Sequence, residues 1–258
     1  MALIHLDHVP QNVGVNLPLY MILPDPGRMQ NQPVHTRTVL YLLHGLSDDG
    51  SAWQRFTAIE SLAAAYGLVV VMPSAGRSFY TDQPNGQRYY TYLAEELPTY
   101  LLQVFGLAPT RADTLIAGNS MGGYGAFKLA FHYPGRFSAA ASFSGVLSFE
   151  FLRLFPDDPR RPEFTHIFGD LDRLQGSAHD PAVWFQQAVR QRTDLPHLYL
   201  SCGRQEDLYP INQMVAHSLQ ELGIPVEYHE DDARHDWFNW DLQIRRFLAS
   251  VLGPIPTL

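Results

Sequence analysis

The segment Gly118-Asn119-Ser120-Met121-Gly122 sets a serine between two glycines, a pattern in which the serine can act as a nucleophile. The apolar run 114–117 just before it predicts a β-strand, and the spacing over 121–133 just after it predicts a helix. Such a turn lifts the hydroxyl above the sheet edge and aims a helix N-terminus at a developing oxyanion. We therefore predict Ser120 as a nucleophile for acyl transfer. The alternative is a glycine-rich turn with an incidental serine.

A serine hydroxyl needs a base to remove its proton during attack. The chain has 11 histidines, so their number identifies none of them. His235 lies between a predicted strand, 226–229, and the predicted final helix, 236–252. His132 and His217 lie within helical patterns and are better explained as packing or surface residues. We predict His235 as the general base.

A carboxylate behind the histidine would hold the imidazole tautomer and stabilise the imidazolium ion. Glu206 and Asp207 both follow the predicted strand 198–203, where such a residue is expected. Asp231, Asp232 and Asp236 are placed less favourably. From the residues alone, the choice between Glu206 and Asp207 stays open.

Two backbone N–H groups are needed to hold the oxygen of a tetrahedral intermediate. One should belong to Met121, the residue after the serine. The other should come from the loop after the predicted strand 38–43, where Gly45 permits a tight turn and Leu46 is the candidate donor. We interpret the neighbouring His44 as a structural polar group. No cluster of residues at metal-ligand spacing is found, so we predict no metal site.

These residues must be positioned by a fold in which short apolar strands alternate with helical segments. Such alternation predicts right-handed crossovers and a mostly parallel sheet with helices on both faces. We expect one domain over 1–258. Residues 147–180 break the alternation with several prolines and glycines, and we predict that they form a lid or a pocket-forming insertion.

The composition excludes several classes of protein. The chain has 258 residues, 46% hydrophobic and 17% charged, with a formal net charge of −8. The acidic balance argues against nucleic acid or an anionic membrane as partner. No segment is long and apolar enough to cross a bilayer, and no signal peptide is evident at the N-terminus. The single cysteine, Cys202, permits no internal disulfide, so we expect a cytoplasmic protein.

The chain resembles the esterase D-like branch of the α/β-hydrolases, particularly bacterial tributyrin-esterase and feruloyl-esterase-like members. The resemblance extends from about residue 15 to residue 252. It rests on the stretches 42–45, 76–82, 95–98, 118–126, 202–207 and 235–237, which read LLHG, GRSFYTD, EELP, GNSMGGYGA, CGRQED and HDW. It implies the α/β-hydrolase fold and activity on short acyl or aryl esters without a cofactor. It also implies a small-molecule ester as substrate and a homo-oligomer as a possible assembly.

By position, the resemblance implies Ser120, Asp207 and His235 as the catalytic triad, with Leu46 and Met121 at the oxyanion hole. Related S-formylglutathione hydrolases usually have a serine before the glycine of the oxyanion loop and Thr-Cys just after it. Here those positions are His44-Gly45 and Ser47-Asp48, which disfavours that activity. We expect apolar pocket walls, with candidates Phe79, Tyr80, Phe149, Phe151, Trp184 and Trp237, of which Tyr80, Trp184 and Trp237 are preferred.

The sequence therefore predicts a serine carboxylesterase that works through an acyl-enzyme. The alternatives are a hydrolase of the thioester S-formylglutathione, an acyltransferase, and a binding protein on a catalytically silent hydrolase fold.

Overall fold

The fold is built around a sheet whose central strands are buried on both faces. The computed structural model describes residues 1–25, 37–84, 86–150, 152 and 156–255. Its strands are β1 (Ala2–His8), β2 (Leu17–Leu23), β3 (Val39–Leu43), β4 (Val69–Pro73), β5 (Thr114–Asn119), β6 (Ala139–Phe143), β7 (His197–Gly203) and β8 (Glu227–Asp231). Its α-helices are α1 (Ala52–Phe56), α2 (Ile59–Tyr66), α3 (Tyr89–Thr91), α4 (Leu97–Phe105), α5 (Met121–His132), α6 (Arg161–Phe168), α7 (Pro181–Gln191), α8 (Tyr209–Glu221) and α9 (Trp237–Leu252).

The strands of the described residues form one sheet in the order β1-β2-β4-β3-β5-β6-β7-β8. β2 is antiparallel to both of its neighbours, and all pairings from β4 to β8 are parallel. The carboxyl ends of β3, β5, β6, β7 and β8 therefore meet at one edge. In sheets of this kind, ligands bind in the crevice beyond that edge.

Helices cover both faces of the sheet, as the apolar runs predict. α1, α2 and α9 pack on one face, where Trp53, Leu62 and Phe247 are fully or almost fully buried. The larger core on the other face joins α4 and α5 to the helices of the 147–180 region and to α7 and α8. The predicted mostly parallel sheet with helices on both faces is confirmed.

Local departures from the predicted elements have identifiable causes. The single helix expected over 53–66 is two helices, because Thr57 is extended and the N–H of Ala58 donates to Asp241 instead of to a helical carbonyl. The helix expected over 92–105 contains a π-helical turn at Tyr92–Glu96. Pro98, which follows this turn, cannot donate to the Ala94 carbonyl, which accepts from Arg136 at 2.5 Å.

The region 147–180 contains α6 and a short 3₁₀ turn, Leu171–Arg173. Phe164 and Phe168 of α6 pack their rings 5.6 and 5.5 Å from that of Phe79, which lies on the loop after β4. An ion pair between Arg77 and Glu163 joins the same two segments. The region thus rests on the loops at the carboxyl edge of the sheet.

Candidate active site

Ser120 lies on a sharp turn between β5 and α5. Its φ of 54° and ψ of −117° are strained for a residue with a side chain. The turn is held by a hydrogen bond from the Ser120 N–H to the Phe143 carbonyl, at 2.8 Å. A Cβ atom on Gly118 would clash with the backbone of Gly122, and one on Gly122 would clash with the backbone of Leu43. Glycine at both positions is what allows the turn to form.

His235 lies on the loop between β8 and α9, within reach of the serine. Its Nε2 atom is 3.1 Å from Oγ of Ser120. Its Nδ1 atom is 2.7 Å from Oε2 of Glu206. The structure therefore brings Ser120 and His235 together as predicted from the sequence.

The prediction of Asp207 as the third member is corrected by this geometry, because Glu206 is the carboxylate that contacts His235. The Glu206 side chain is fully buried, whereas Asp207 is exposed. Both residues follow β7, so the sequence contained the right candidate. What separates them is the direction of each side chain at the start of the loop, which the sequence does not reveal.

Glu206 has a full set of hydrogen-bond donors. Its Oε1 atom accepts from the Ser144 hydroxyl and the Gly203 N–H, each at 2.8 Å, and from the Asn239 amide at 3.1 Å. Burial favours the protonated acid. The hydrogen bonds from His235 and Ser144, the charge of His235 and the Gly203 N–H outweigh burial, so the pKa of Glu206 lies below its usual value. An ionised, acceptor-only carboxylate therefore faces His235.

The loop after β3 is held by His44, which is completely buried. Its Nε2 accepts from the Ala75 N–H at 2.9 Å, so the proton lies on Nδ1, which donates to the Gly45 carbonyl at 2.7 Å. Burial lowers the pKa of His44 to about 4, so the ring stays neutral. Because a trans peptide directs its C=O and N–H in opposite directions, the Leu46 N–H points away from His44.

A cavity of about 730 Å³ opens beside Ser120. Its apolar lining consists of Leu46, Phe79, Val146, Phe164, Leu208, Pro210 and Ile211. Its polar lining consists of Ser120, Asp158, Arg160, Glu206, Asp207 and His235. Arg160 and Asp158 make a two-pronged contact, with Nη2 to Oδ2 at 2.7 Å and Nε to Oδ1 at 3.0 Å. The region 147–180 therefore supplies three of the lining residues.

The three preferred pocket residues do not line this cavity. Tyr80 is completely buried and donates to the His44 carbonyl at 2.9 Å. Trp184 packs on Tyr124 and donates to the Ala178 carbonyl at 2.7 Å. Trp237 packs against Phe56 and Trp53 on the other face of the sheet.

Of the remaining aromatic candidates, Phe79 lines the cavity and Phe149 packs behind it, 6.3 Å from the Phe79 ring. Phe151 lies outside the described residues. Phe164 was not predicted as a pocket residue. Residues 147–180 show no regular apolar spacing in the sequence, so the sequence gives no periodic signal for the face that Phe164 presents.

Neither a metal cluster nor a membrane-crossing helix is found in the part of the chain that the structure describes. No three His, Cys, Asp or Glu side chains are grouped there so as to hold a metal ion. No helix there is long and apolar enough to span a membrane.

Comparison with known proteins identifies the class to which this fold and site belong. The fluorophosphonate-binding serine hydrolase F of Staphylococcus aureus superimposes with a TM-score of 0.89 at 32% identity, over 97% of this chain and 98% of that one. The S-formylglutathione hydrolase FrmB of the same organism gives a TM-score of 0.87, also at 32% identity and the same coverage. An acetyl esterase of Caldicellulosiruptor saccharolyticus is 29% identical over 95% of this chain and 96% of its own length.

The class is that of the α/β-hydrolase-fold serine hydrolases, as predicted. Residues 11–250 match the Esterase family, described as "Putative esterase", and the chain belongs to that family. It is a carboxylic ester hydrolase of the serine esterase type, and the predicted resemblance to the esterase D-like branch is confirmed. A ferulic acid esterase that superimposes with a TM-score of 0.78 is only 20% identical and shares the fold.

Proposed function

We propose that Ser120, His235 and Glu206 form the catalytic triad of a serine carboxylesterase that hydrolyses short-chain acyl esters. The observation that carries this proposal is the continuous chain of contacts from Oγ of Ser120 through both ring nitrogens of His235 to Oε2 of Glu206. A base within hydrogen-bonding distance of a nucleophile, itself oriented by a carboxylate, is the arrangement that activates a serine.

In the proposed reaction, Oγ of Ser120 attacks the ester carbonyl while Nε2 of His235 takes its proton. The C–O bond to the alcohol then breaks, and His235 returns the proton to the departing oxygen. Water attacks the acyl-enzyme by the same route and releases the acid and free Ser120. Glu206 remains ionised throughout and stabilises the imidazolium ion.

The N–H groups of Leu46 and Met121 are the proposed oxyanion donors. Met121 is the first residue of α5, so its N–H has no acceptor within the helix. Leu46 lines the cavity beside Ser120, and the His44 contact directs its N–H away from the Gly45 carbonyl. Loss of one such donor typically costs about 3 kcal/mol of transition-state stabilisation.

The cavity walls support a preference for a small apolar acyl group. Phe79 and Phe164 are both almost completely buried, and they close the apolar side of the cavity. The acetyl esterase relative, by its name, acts on such a group. We interpret region 147–180 as the cover of this pocket within a single domain. Trimming it should change chain-length preference and leave labelling of Ser120 intact.

A second candidate is hydrolysis of S-formylglutathione, since FrmB is a relative with that name at 32% identity. That thioester carries two carboxylates on its leaving group. The cavity here presents the exposed Asp207, and the charge of Arg160 is balanced by Asp158. This lining favours neutral esters over the thioester. Acyl transfer from the same acyl-enzyme to an alcohol is a third candidate activity.

The proposed substrate is a small-molecule ester, handled without a cofactor, and nucleic acid is not a proposed partner because the chain is acidic. We propose a cytoplasmic location because the single cysteine permits no internal disulfide. A homo-oligomer is proposed from the family resemblance.

The test is hydrolysis of nitrophenyl esters from acetate to decanoate, with a feruloyl ester and S-formylglutathione, by wild type and Ser120→Ala. We expect rates that peak at short chains and vanish in the variant, together with fluorophosphonate labelling of wild type alone. A folded protein that is inactive and unlabelled would favour a binding role. Activity that survives Ser120→Ala would overturn the proposal.

A further inference from the structure

Ser144, the residue after β6, has a backbone conformation that a side chain disfavours. Its φ is 51°, in the left-handed region, where glycine is the easier residue. The residue is completely buried, and its N–H donates to the Ser201 carbonyl at 2.7 Å. A serine kept in a strained and buried position requires an explanation in terms of its hydroxyl.

That hydroxyl lies between two partners that fix its direction. The indole N–H of Trp240, which can only donate, points at Oγ of Ser144 at 3.1 Å. The hydrogen of the Ser144 hydroxyl is therefore left for Oε1 of Glu206, 2.8 Å away, and that carboxylate can only accept when it is ionised. The direction of both hydrogen bonds, from Trp240 to Ser144 and from Ser144 to Glu206, is therefore fixed by the two outer partners.

Trp240 also contacts the other partner of Glu206. Its ring meets that of His235 edge to face, with centroids 4.9 Å apart and planes at 89°. Trp240 lies on α9, Ser144 follows β6 and Glu206 follows β7, so residues from three separate elements meet in this cluster. With Ser144, Gly203 and Asn239 all donating to Oε1, Oε2 is the atom that faces His235.

We propose that Ser144 and Trp240 are positioning residues that act through Glu206. They hold Oε2 against Nδ1 of His235 while the imidazole gains and loses its proton. The inference rests on the proposed triad, and it adds two residues whose effect on the rate requires the carboxylate of Glu206.

The first test compares Ser144→Gly with Ser144→Ala. Both variants lose the hydroxyl, and only glycine also relieves the left-handed backbone. We expect both to lose about ten- to a hundredfold in kcat, with KM changed less than twofold, because a hydrogen bond to a charged group is lost. We expect Ser144→Gly to have the higher Tm. If Ser144→Gly instead keeps a kcat close to that of wild type and only Ser144→Ala loses activity, the loss reflects backbone strain, and the hydroxyl has no positioning role.

The second test places the same substitutions in a Glu206→Gln background. If Ser144 acts through the carboxylate, Ser144→Ala should cost less than twofold there. Trp240→Phe keeps a ring and removes the N–H. It should therefore lower kcat in the wild-type background and cost less than twofold in the Glu206→Gln background. An equal loss in both backgrounds would overturn the proposal.

The control is Ser138→Ala, which removes a hydroxyl that donates to the Thr114 carbonyl at the opposite end of β6 and should leave kcat unchanged. Failure of the triad itself would be recognised separately, because Glu206→Gln alone would then remain active.

Discussion

The carboxylates of Glu206 and Asp207, adjacent in sequence, have opposite environments. That of Glu206 is fully buried, 2.7 Å from Nδ1 of His235. Asp207 is exposed and lines the cavity beside Ser120. In the proposed triad Glu206 orients the base, and we expect the charge of Asp207 to act on the substrate.

The first prediction follows from this difference. Glu206→Gln should lower kcat by about 10³-fold or more, because an amide cannot hold the correct tautomer or stabilise the imidazolium ion. Asp207→Asn should retain at least a hundredfold more activity than Glu206→Gln. The measurement is kcat on nitrophenyl butyrate, with folding checked by circular dichroism. The reverse order of losses would restore Asp207 as the triad acid.

The second prediction concerns selection by charge. Asp207→Asn should raise the ratio of kcat/KM for an anionic ester, such as a nitrophenyl hemisuccinate, to that for nitrophenyl butyrate by about fivefold. One nearby charge in a water-like medium is worth about 1 kcal/mol. The gain should shrink at 0.5 M salt, where the Debye length is only about 4 Å. The matched control is Asp7→Asn on β1, which removes the same charge at the far edge of the sheet. A ratio that stays constant would show that Asp207 does not act on substrate charge.

The third prediction concerns acyl length. Phe164→Ala should raise the kcat/KM ratio of hexanoate to butyrate by about tenfold, since each buried CH₂ contributes about 0.8 kcal/mol. The variant should also lose about 3 kcal/mol or more in free energy of unfolding. Phe185→Ala is the control, because Phe185 is equally buried but packs against Phe131, away from the cavity. If the control shifts the ratio equally, the effect arises from general destabilisation.

The fourth prediction concerns Lys128, the only lysine in the chain, which lies on α5 and is buried. Its ammonium group donates to Thr81 Oγ1 at 2.8 Å, and burial lowers its pKa to about 7 despite the charge of Asp82. With one lysine, a protein labelled with ¹³C at lysine Cε should give one main resonance, and that resonance should titrate near pH 7. Titration near pH 10 would contradict the burial of this amine.

The same pKa shift has a consequence for stability. Between pH 7 and about 10, the unfolded chain holds a proton on Lys128 that the folded chain has released. The Lys128 contribution to the free energy of unfolding therefore rises with pH over this range, by at most about 1.4 kcal/mol per pH unit. Lys128→Met should remove this slope, as measured by urea denaturation at a series of pH values.

Much of the site could be predicted because its residues sit in fixed relation to local elements. Ser120 follows an apolar strand and precedes a helix, and His235 precedes the last amphipathic helix. In a parallel sheet, residues after the carboxyl ends of strands must meet at one edge. The serine and the histidine could therefore be placed together from the order of the strands and helices alone.

What only the tertiary structure decided depends on side-chain direction and on irregular backbone. Glu206 and Asp207 both follow β7, and the choice of Glu206 comes from partners outside its own loop: Ser144 after β6, His235 before α9 and Asn239 on α9. Tyr80, Trp184 and Trp237 were expected in the pocket because they are large and apolar, and such residues pack in cores just as well. The sequence predicted that residues 147–180 form a lid or shape the pocket, but not that Phe164 of α6 forms its wall. That position depends on contacts between α6 and the loop that carries Phe79, far apart in the sequence.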